Sequence, residues 1–313
     1  MIISVCLNPS IDKTVRIPSF TYGSINRVSE SREDAGGKGV NVALVARTLE
    51  ADVVALGFAG REGFILAEQK MRNEGCRMEF HRVSGQVRTN LKIVDQSKNI
   101  TTEVNEPGPM VQEADLLAME AMVKEYASHA STVILTGSLP PGCPEDYYVT
   151  LMQAAKEGNP GIRCAVDAEG EKLKTAIEQK PHFIKPNDFE LGTLLGKEFH
   201  GKEEMHRAAL ELVEKGVSVV LVSMGPEGAL ITDGAESYYA PALVVKVEST
   251  VGAGDAMVAA YCVAEERGLS LQERFVHAMA GGTAAVLTPG TQLVRLEDYQ
   301  RLLPEVQAEA FTK

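Results

Sequence analysis

Tryptophan is absent from this 313-residue sequence, and aromatic residues of all kinds make up 5% of it. The five cysteines include no CxxC pair and no spacing typical of metal ligands, and the six histidines are equally scattered. These absences argue against a disulfide-stapled or zinc-bound fold. They favour free thiols in a reducing compartment, so a cytoplasmic location is predicted.

Long apolar runs are also missing. The stretch 217–222, one of the most hydrophobic, is far too short to span a bilayer, and the opening MIISVCLNPS lacks the basic start and long apolar core of a secretory signal. The formal net charge is −12, which argues against nucleic acid or an anionic membrane as partner. A small anionic ligand stays compatible with this charge, since a local group of cations and N–H donors can oppose the global sign.

What the sequence does contain is an alternation of short β-branched runs and longer amphipathic stretches. It predicts an α/β fold, with a mainly parallel sheet between two layers of helices. The predicted strands cover residues 2–7, 53–57, 132–136, 164–167, 183–185 and 217–223. The predicted helices cover residues 40–49, 64–74, 114–126, 144–156, 203–215, 256–267 and 271–287.

Two segments, 11–34 and 87–105, interrupt this rhythm. Each alternates apolar and polar residues without a helical stretch. We predict that they form a small antiparallel sheet set apart from the core, in the position of a lid. The core then comprises residues 1–10, 35–86 and 106–313.

Glycine-rich or polar turns follow several predicted strands. They read NPSID, AGGKGVNVA, TGSLPPG, KPNDFEL, VSMGPEGA and ESTVGAGDAMVAA. Ligands of open α/β sheets bind beyond the carboxyl ends of the strands, so these turns are expected to meet in one crevice. Each turn alone is equally compatible with a tight turn or a helix cap. None matches the phosphate loop GxxxxGK[ST] or a dinucleotide fingerprint after the first strand.

The last of these turns combines an anion site with an acid. Glycines that lead into a helix leave the first N–H groups free to bind an anion. Asp255 in the same turn would repel a resting phosphate, but it suits a site where a proton leaves as a phosphoryl group arrives. This pattern raises the hypothesis of a site where an acid takes up a proton while an anion is transferred.

Together these motifs resemble the ribokinase/PfkB family of sugar kinases along almost the whole chain. AGGKGVNVA resembles the first signature of that family and STVGAGDAMVA the second. LNPSID, RTNLKI, GSLPPG and KPNDFEL resemble the branch that phosphorylates sugar phosphates.

The resemblance implies a ribokinase-like fold and ATP- and Mg²⁺-dependent phosphorylation of a ketose phosphate. RTNLKI and TEVNEPGP favour fructose 1-phosphate, converted to fructose 1,6-bisphosphate. Tagatose 6-phosphate, fructose 6-phosphate and a non-catalytic sugar-phosphate binder stay open.

The resemblance also assigns roles to residues. Asp255 would be the base, and the N–H groups of Ala253, Gly254 and Asp255 would form the anion hole. Gly252 and Gly254 would keep the path of the phosphoryl group free of side chains. The sugar phosphate would be held by Asp12, Gly37, Lys38, Asn41, Arg88, Asn90 and Ser138, with Lys92 as a further cation. The nucleotide would be held by Lys185, Asn187, Ser223, Gly225, Gly228, Thr250 and Gly282, and Glu190 would act on Mg²⁺ through water.

Departures from the family pattern leave two points open. Ser249 stands where many relatives have Asp beside a monovalent-cation loop, which leaves dependence on such a cation undecided, and Ala256 replaces the usual Ser or Thr. The resemblance further implies a homodimer through the lid sheets, because a small two-sided sheet is marginal alone. Whether Arg27 then reaches the neighbouring site stays open.

Overall fold

The computed structural model describes residues 1–62, 64–290, 292 and 294–311. The strands are β1 (Ile2–Cys6), β2 (Ser10–Ile17), β3 (Glu30–Gly36), β4 (Val53–Glu62), β5 (Arg77–Gln86), β6 (Arg88–Asp95), β7 (Ile100–Asn105), β8 (Thr132–Thr136), β9 (Arg163–Asp167), β10 (Phe183–Ile184), β11 (Val219–Ser223), β12 (Ala229–Thr232), β13 (Ser237–Ala240) and β14 (Glu309–Ala310). The helices are α1 (Lys38–Thr48), α2 (Ile65–Asn73), α3 (Glu113–Ala127), α4 (Tyr147–Gly158), α5 (Glu171–Glu178), α6 (Asp188–Leu195), α7 (Lys202–Glu214), α8 (Ala253–Glu266), α9 (Leu271–Val286) and α10 (Leu296–Leu302). None of the helices within these described ranges is long and apolar enough to cross a membrane.

The larger sheet is mainly parallel, as predicted. Among the described residues it has ten strands in the order β14-β13-β12-β11-β10-β9-β8-β1-β4-β5. The pairs from β11 through to β5 are parallel, and the three pairs that join β11 to β14 are antiparallel. Parallel strands end at a common edge, so the turns after β1, β8, β9, β10 and β11 gather there.

Helices cover both faces of this sheet. The buried side chains of β1 alternate: Ile2 and Cys6 pack with α1, α8 and α9, whereas Ile3 and Val5 pack with α3, α4 and α7 on the other face. Helices α8 and α9 lie so close together that a Cβ on Gly282 would be 2.6 Å from Met257 Cγ. The predicted α/β/α layering is confirmed.

The sequence prediction missed several elements at the margins of the core. These are β5, β12, β13, β14 and the short helices α5, α6 and α10. Strand β5 carries mostly polar residues because it lies at the edge of the sheet, where one side of the strand stays unpaired. Helix α8 begins at Ala253, three residues earlier than predicted, so the acid of the GAGD turn lies in its first turn.

The smaller sheet has the order β3-β2-β6-β7 in the described chain. The predicted small sheet is present, and its pairs β2–β3 and β6–β7 are antiparallel as predicted. The pair β2–β6 differs from the prediction: it is parallel, from Ser10 opposite Arg88 to Ile17 opposite Asp95. The reason is the path of the chain, which passes from core strand β5 through Val87 directly into β6. Strand β6 therefore enters beside β2 in the direction that the core imposes.

Candidate active site

A cleft of about 400 Å³ separates the carboxyl ends of the core strands from the smaller sheet. It brings together residues from widely separated parts of the sequence, as predicted. The predicted site residues that line it are Asp12, Gly37, Lys38, Asn41, Arg88, Asn90, Lys185, Asn187, Glu190, Ser223, Gly252, Gly254 and Asp255. A smaller cavity of about 190 Å³ shares Lys38, Arg88 and Asn90 with the cleft and adds Asn8 and Ser138.

Five predicted site residues do not line either space, namely Ala253, Gly225, Gly228, Thr250 and Gly282. Packing already accounts for two of these glycines. A Cβ at position 228 would lie 2.0 Å from the carbonyl oxygen of Ala240, and position 282 lies against α8. Gly225 begins a 3₁₀ turn directly after β11, and Thr250 precedes α8. Their roles toward a nucleotide stay predictions.

Asp255 is a buried carboxylate in the first turn of α8. Its Oδ2 accepts a hydrogen bond of 2.9 Å from Asn41 Nδ2. Burial and then the charge of Asp167 raise the pKa of Asp255 to about 6, against the opposing effects of Lys38, Asn41 and Lys185. A carboxylate with this pKa is a stronger proton acceptor than an exposed one and is still ionised at pH 7.

The backbone around Asp255 forms a cradle for an anion. Gly252 adopts φ +82°, which favours glycine, and open space around its Cβ position shows that conformation rather than crowding requires it. The N–H groups of Gly254 and Asp255 have no acceptor within the described chain. The N–H of Ala253 donates to Thr250 O at 3.4 Å. The predicted anion hole therefore has two free N–H donors instead of three.

Asp167, at the end of β9, contacts two lysines that line the cleft. It is buried, and Lys38 Nζ and Lys185 Nζ lie 3.4 Å and 3.3 Å from its carboxylate oxygens, with Thr136 Oγ1 donating at 3.1 Å. Burial raises the pKa of Asp167, but the charges of Lys185 and Lys38 outweigh it and hold the pKa below its usual range. Asp167 likewise raises the pKa of Lys38.

The sequence prediction did not select Asp167. A usable signal was present, because this acid ends a predicted strand at the edge where ligands bind.

Asp12 lies on β2 in a buried polar network. Its Oδ2 is 3.0 Å from Lys92 Nζ, and its Oδ1 accepts from Ser10 Oγ at 2.8 Å and from Asn90 Nδ2 at 3.1 Å. Asn90 Nδ2 also donates to Ser10 Oγ at 3.0 Å. Two expectations therefore need correction. The charge of Lys92 is compensated by Asp12, so Lys92 is not an unpaired cation of the site. Both N–H groups of Asn90 are already used, so Asn90 has no free donor for a phosphate.

Arg88 differs from the other cations of the site. Lys38, Lys92 and Lys185 each face a carboxylate, but no carboxylate of the described residues lies within salt-bridge distance of the Arg88 guanidinium. Its Nε donates to the backbone oxygen of Asn8 at 3.2 Å. Burial lowers the pKa of Arg88, but a guanidinium remains a cation at pH 7. A half-buried cation without a counter-ion is suited to an anionic ligand.

Asn187 and Glu190 begin α6 with a reciprocal cap. Glu190 N–H donates to Asn187 Oδ1 at 2.7 Å, and Asn187 N–H donates to Glu190 Oε2 at 2.9 Å. Glu190 Oε1 has no hydrogen-bond partner in the described chain and belongs to a residue that lines the cleft. The described residues hold no group of three or more His, Cys, Asp or Glu residues that could bind a metal ion by themselves.

Comparisons with known proteins assign this chain to a family. Residues 3–298 match the pfkB family carbohydrate kinase. The chain is 41% identical to a 1-phosphofructokinase of Rhodobacter capsulatus over 87% of this chain and 86% of that protein. It is 30% identical to a tagatose-6-phosphate kinase of Staphylococcus epidermidis over 83% of each. The solved phosphofructokinase-2 of Escherichia coli in complex with substrates and products has a TM-score of 0.91 at 31% identity, covering 97% of this chain and 98% of that one.

The chain therefore belongs to the pfkB family of carbohydrate kinases, and its fold is ribokinase-like. It is an enzyme of the phosphotransferase class, as the sequence predicted.

Proposed function

We propose that this enzyme transfers the γ-phosphoryl group of ATP to the free primary hydroxyl group of a ketose phosphate, and that fructose 1-phosphate is the preferred substrate. The observation that carries the proposal is Arg88, a half-buried cation without a carboxylate partner, in a cavity that adjoins the cleft of the buried base Asp255. A neutral sugar would leave that cation uncompensated in a closing site, which is costly. The curated relatives named 1-phosphofructokinase support the choice of ketose phosphate.

In this proposal the reaction needs few groups. Asp255 accepts the proton of the attacking hydroxyl group, and Asn41 holds the Asp255 carboxylate through its 2.9 Å hydrogen bond. The N–H groups of Gly254 and Asp255, at the positive end of α8, stabilise the transferring phosphoryl group. Because phosphoryl transfer depends mainly on alignment and charge, one base and one cradle are sufficient.

The sugar phosphate is proposed to lie along the remaining side of the cleft. Asp12 and Gly37 hold the sugar, while Arg88, Lys38 and Ser138 hold the phosphate group that it already carries. Arg88 is the strongest of these, because its guanidinium can donate two parallel hydrogen bonds to phosphate oxygens.

The nucleotide is proposed to lie between α6, the turn after β11 and α8. Lys185, Asn187, Ser223, Gly225, Gly228, Thr250 and Gly282 would surround it. Glu190 fits a role toward Mg²⁺ because Oε1 has no partner, and Mg²⁺ usually keeps several waters and binds through one or two carboxylates plus phosphates. When bound, Mg²⁺ would neutralise charge on the ATP phosphates.

We further propose that residues 11–34 and 87–105 form a lid and that two lids pair in a homodimer. Apolar side chains project from this part of the molecule, since Tyr22 is 95% exposed and Ile25 is 88% exposed. Ile100 and Val104 on β7 are also exposed. Light scattering at micromolar concentration should find a dimer, and a strict monomer would contradict this assembly.

The substrate is tested by measuring kcat/KM with MgATP on fructose 1-phosphate, fructose 6-phosphate and tagatose 6-phosphate side by side. We expect at least a tenfold preference for fructose 1-phosphate. A tenfold preference for either 6-phosphate would replace the substrate but keep the kinase. Tagatose 6-phosphate is the second candidate because of the similarity to a tagatose-6-phosphate kinase. Binding of all three without ADP release would favour the non-catalytic binder.

A further inference from the structure

A hydrogen bond ties the smaller sheet to a distant part of the core. Arg32, on β3, donates from Nη2 to the backbone oxygen of Pro289 at 3.2 Å. Pro289 lies in the loop that follows α9, so the bond joins positions that are 257 residues apart in the sequence. Neither residue belongs to the predicted site, and neither lines the cleft or the smaller cavity. The roles proposed for the substrate-binding residues therefore do not explain this contact.

The guanidinium group of Arg32 is held in one orientation. Its Nε lies 2.8 Å from Asp34 Oδ2, two residues further along β3, and the Asp34 side chain is 14% exposed. A charge-assisted hydrogen bond of this length fixes the planar guanidinium. The loop after α9 leaves room for it, because a Cβ at Gly290 would lie 2.2 Å from Arg32 Nη2. Glycine at position 290 is therefore needed for Arg32 to reach the loop.

The loop that receives Arg32 is firmly attached to α9. The buried hydroxyl group of Thr288 donates to Ala285 O at 2.9 Å, and the Thr288 N–H donates to the same oxygen at 3.2 Å. Helix α9 packs in turn against α8, which carries Asp255 in its first turn. Arg32 therefore contacts the same packed body of the core that carries the proposed base.

The other end of the contact lies beside the residue proposed to hold the sugar. Asp34 is directly opposite Asp12 in the antiparallel pair β2–β3, and directly opposite side chains lie on the same face of a sheet. Arg32 is two residues from Asp34, so it lies on that face as well. Asp12 lines the cleft. Arg32 thus joins the strand pair that carries Asp12 to the part of the core that carries Asp255.

We infer that Arg32 is a positioning residue, which together with Asp34 and the loop 288–290 forms a latch that holds the smaller sheet over the cleft. The latch keeps Asp12 aligned with Asp255 before the sugar phosphate binds. Alignment of a hydroxyl group with its base is a large part of catalysis, and small displacements are costly. A sheet already held in place also binds more tightly, since the substrate need not close it. The inference rests on the proposed function for the roles of Asp12 and Asp255.

The test measures the motion of the smaller sheet and the binding of the sugar phosphate in the same variants. Arg32→Met removes the guanidinium from the latch. Arg16→Met is the matched control, because Arg16 lies on neighbouring β2 and faces Glu30 within the smaller sheet. Amide hydrogen exchange is followed by mass spectrometry on the free enzyme. Calorimetry gives Kd of fructose 1-phosphate without nucleotide, and a coupled assay gives kcat with MgATP.

We expect the amides of β2 and β3 to exchange about fivefold faster in Arg32→Met than in the wild type, because a partly exposed hydrogen bond from a charged group is lost. Kd of fructose 1-phosphate should rise about fivefold for the same reason. The value of kcat should stay within about twofold, since the bound substrate still closes the sheet. Arg16→Met should match the wild type in all three measurements.

A second pair of variants tests the latch from the side of the core. In Gly290→Ala the new Cβ displaces the guanidinium, so β2 and β3 should exchange faster, as in Arg32→Met. Gly268→Ala is the control: Gly268 has φ +74°, close to the +62° of Gly290, but a Cβ there meets nothing within 4 Å. Both variants carry the strain of alanine in this conformation, and only Gly290→Ala disturbs the latch.

Equal exchange of β2 and β3 in Arg32→Met and Arg16→Met would overturn the inference. Faster exchange throughout the core, or faster exchange of the two strands with an unchanged Kd, would overturn it as well. If fructose 1-phosphate does not bind the wild type, the choice of substrate is wrong, and exchange in the free enzyme still decides whether the latch holds the sheet.

Discussion

Helix α8 carries a buried acid near each end, and the pKa values of the two acids are shifted in opposite directions. Asp255 in the first turn is 5% exposed and Glu265 in the last turn is 3% exposed, so burial does not distinguish them. What distinguishes them is the set of partners. Burial and Asp167 raise the pKa of Asp255 to about 6, whereas the pKa of Glu265 is lowered despite its burial.

The partners of Glu265 include two guanidinium groups, an imidazole and a hydroxyl group. Glu265 Oε1 lies 2.7 Å from the Arg274 guanidinium, 2.8 Å from His182 Nε2 and 3.2 Å from the Tyr261 hydroxyl group. Arg163 lies 3.5 Å from Oε2. Asp255 has a single neutral donor, Asn41. The carboxylate at the last turn of the helix is therefore paired with cations and stabilises the fold. The carboxylate at the first turn lacks such a partner and accepts a proton more readily than an exposed aspartate.

The largest expected effect comes from removing the acid at the catalytic end. Asp255→Asn should lower kcat on the preferred ketose phosphate by about 10²–10⁴-fold, the range for loss of a general base. Substrate Kd should stay within a few fold of the wild type. ADP release measured by a coupled assay decides this, and a variant that keeps more than a tenth of wild-type turnover would remove Asp255 from its proposed role.

The same change at the anchored end should affect stability instead. Glu265→Gln should lower the free energy of unfolding by about 2 kcal/mol, because it leaves the half-buried guanidinium of Arg274 without a carboxylate and removes one of the two carboxylates that face Arg163. Turnover at 25 °C should stay within twofold of the wild type. Denaturant unfolding at pH 7 measures the difference.

Glu211→Gln is the matched control for that variant, since Glu211 pairs with Lys197 on the surface. Its cost should be below about 1 kcal/mol. Equal losses of stability in the two variants would contradict the stabilising role of Glu265 and its partners.

A smaller effect is expected for the cation without a counter-ion. Arg88→Met should lower kcat/KM for the sugar phosphate about 30-fold, mainly through KM, since hydrogen bonds to charged groups contribute about 1.5–3 kcal/mol. Arg16→Met on neighbouring β2 is the control, because Arg16 already faces Glu30 at the surface. Equal kinetics in the two variants would contradict a phosphate-binding role for Arg88.

The sequence predicted the central strands of the core better than the edge strands and the smaller sheet. It predicted which residues line the site better than it predicted how their charges are paired. Runs such as 132–136 are apolar and β-branched because both faces of the sheet are covered, so the pattern alone identifies them. The parallel pairing of β2 with β6 joins segments more than seventy residues apart, and no local pattern encodes it.

The site shows the same limit at the level of single charges. The glycine-rich turns predicted where Asp255, Lys38 and Arg88 would meet. That Lys92 is neutralised and Arg88 is not depends on register, which places Asp12 opposite Asn90 and beside Lys92.

The most direct test of the raised pKa of Asp255 is the unfolding free energy of Asp255→Asn minus that of the wild type, measured from pH 4 to pH 8 without substrate. The folded pKa of about 6 lies above the unfolded value near 3.8, so the wild type should lose stability through Asp255 as pH rises between these values. The variant lacks this loss, so its stability relative to the wild type should rise by about 2 kcal/mol between pH 4 and pH 7 and level off above pH 7. A difference that is constant across this range would contradict the account.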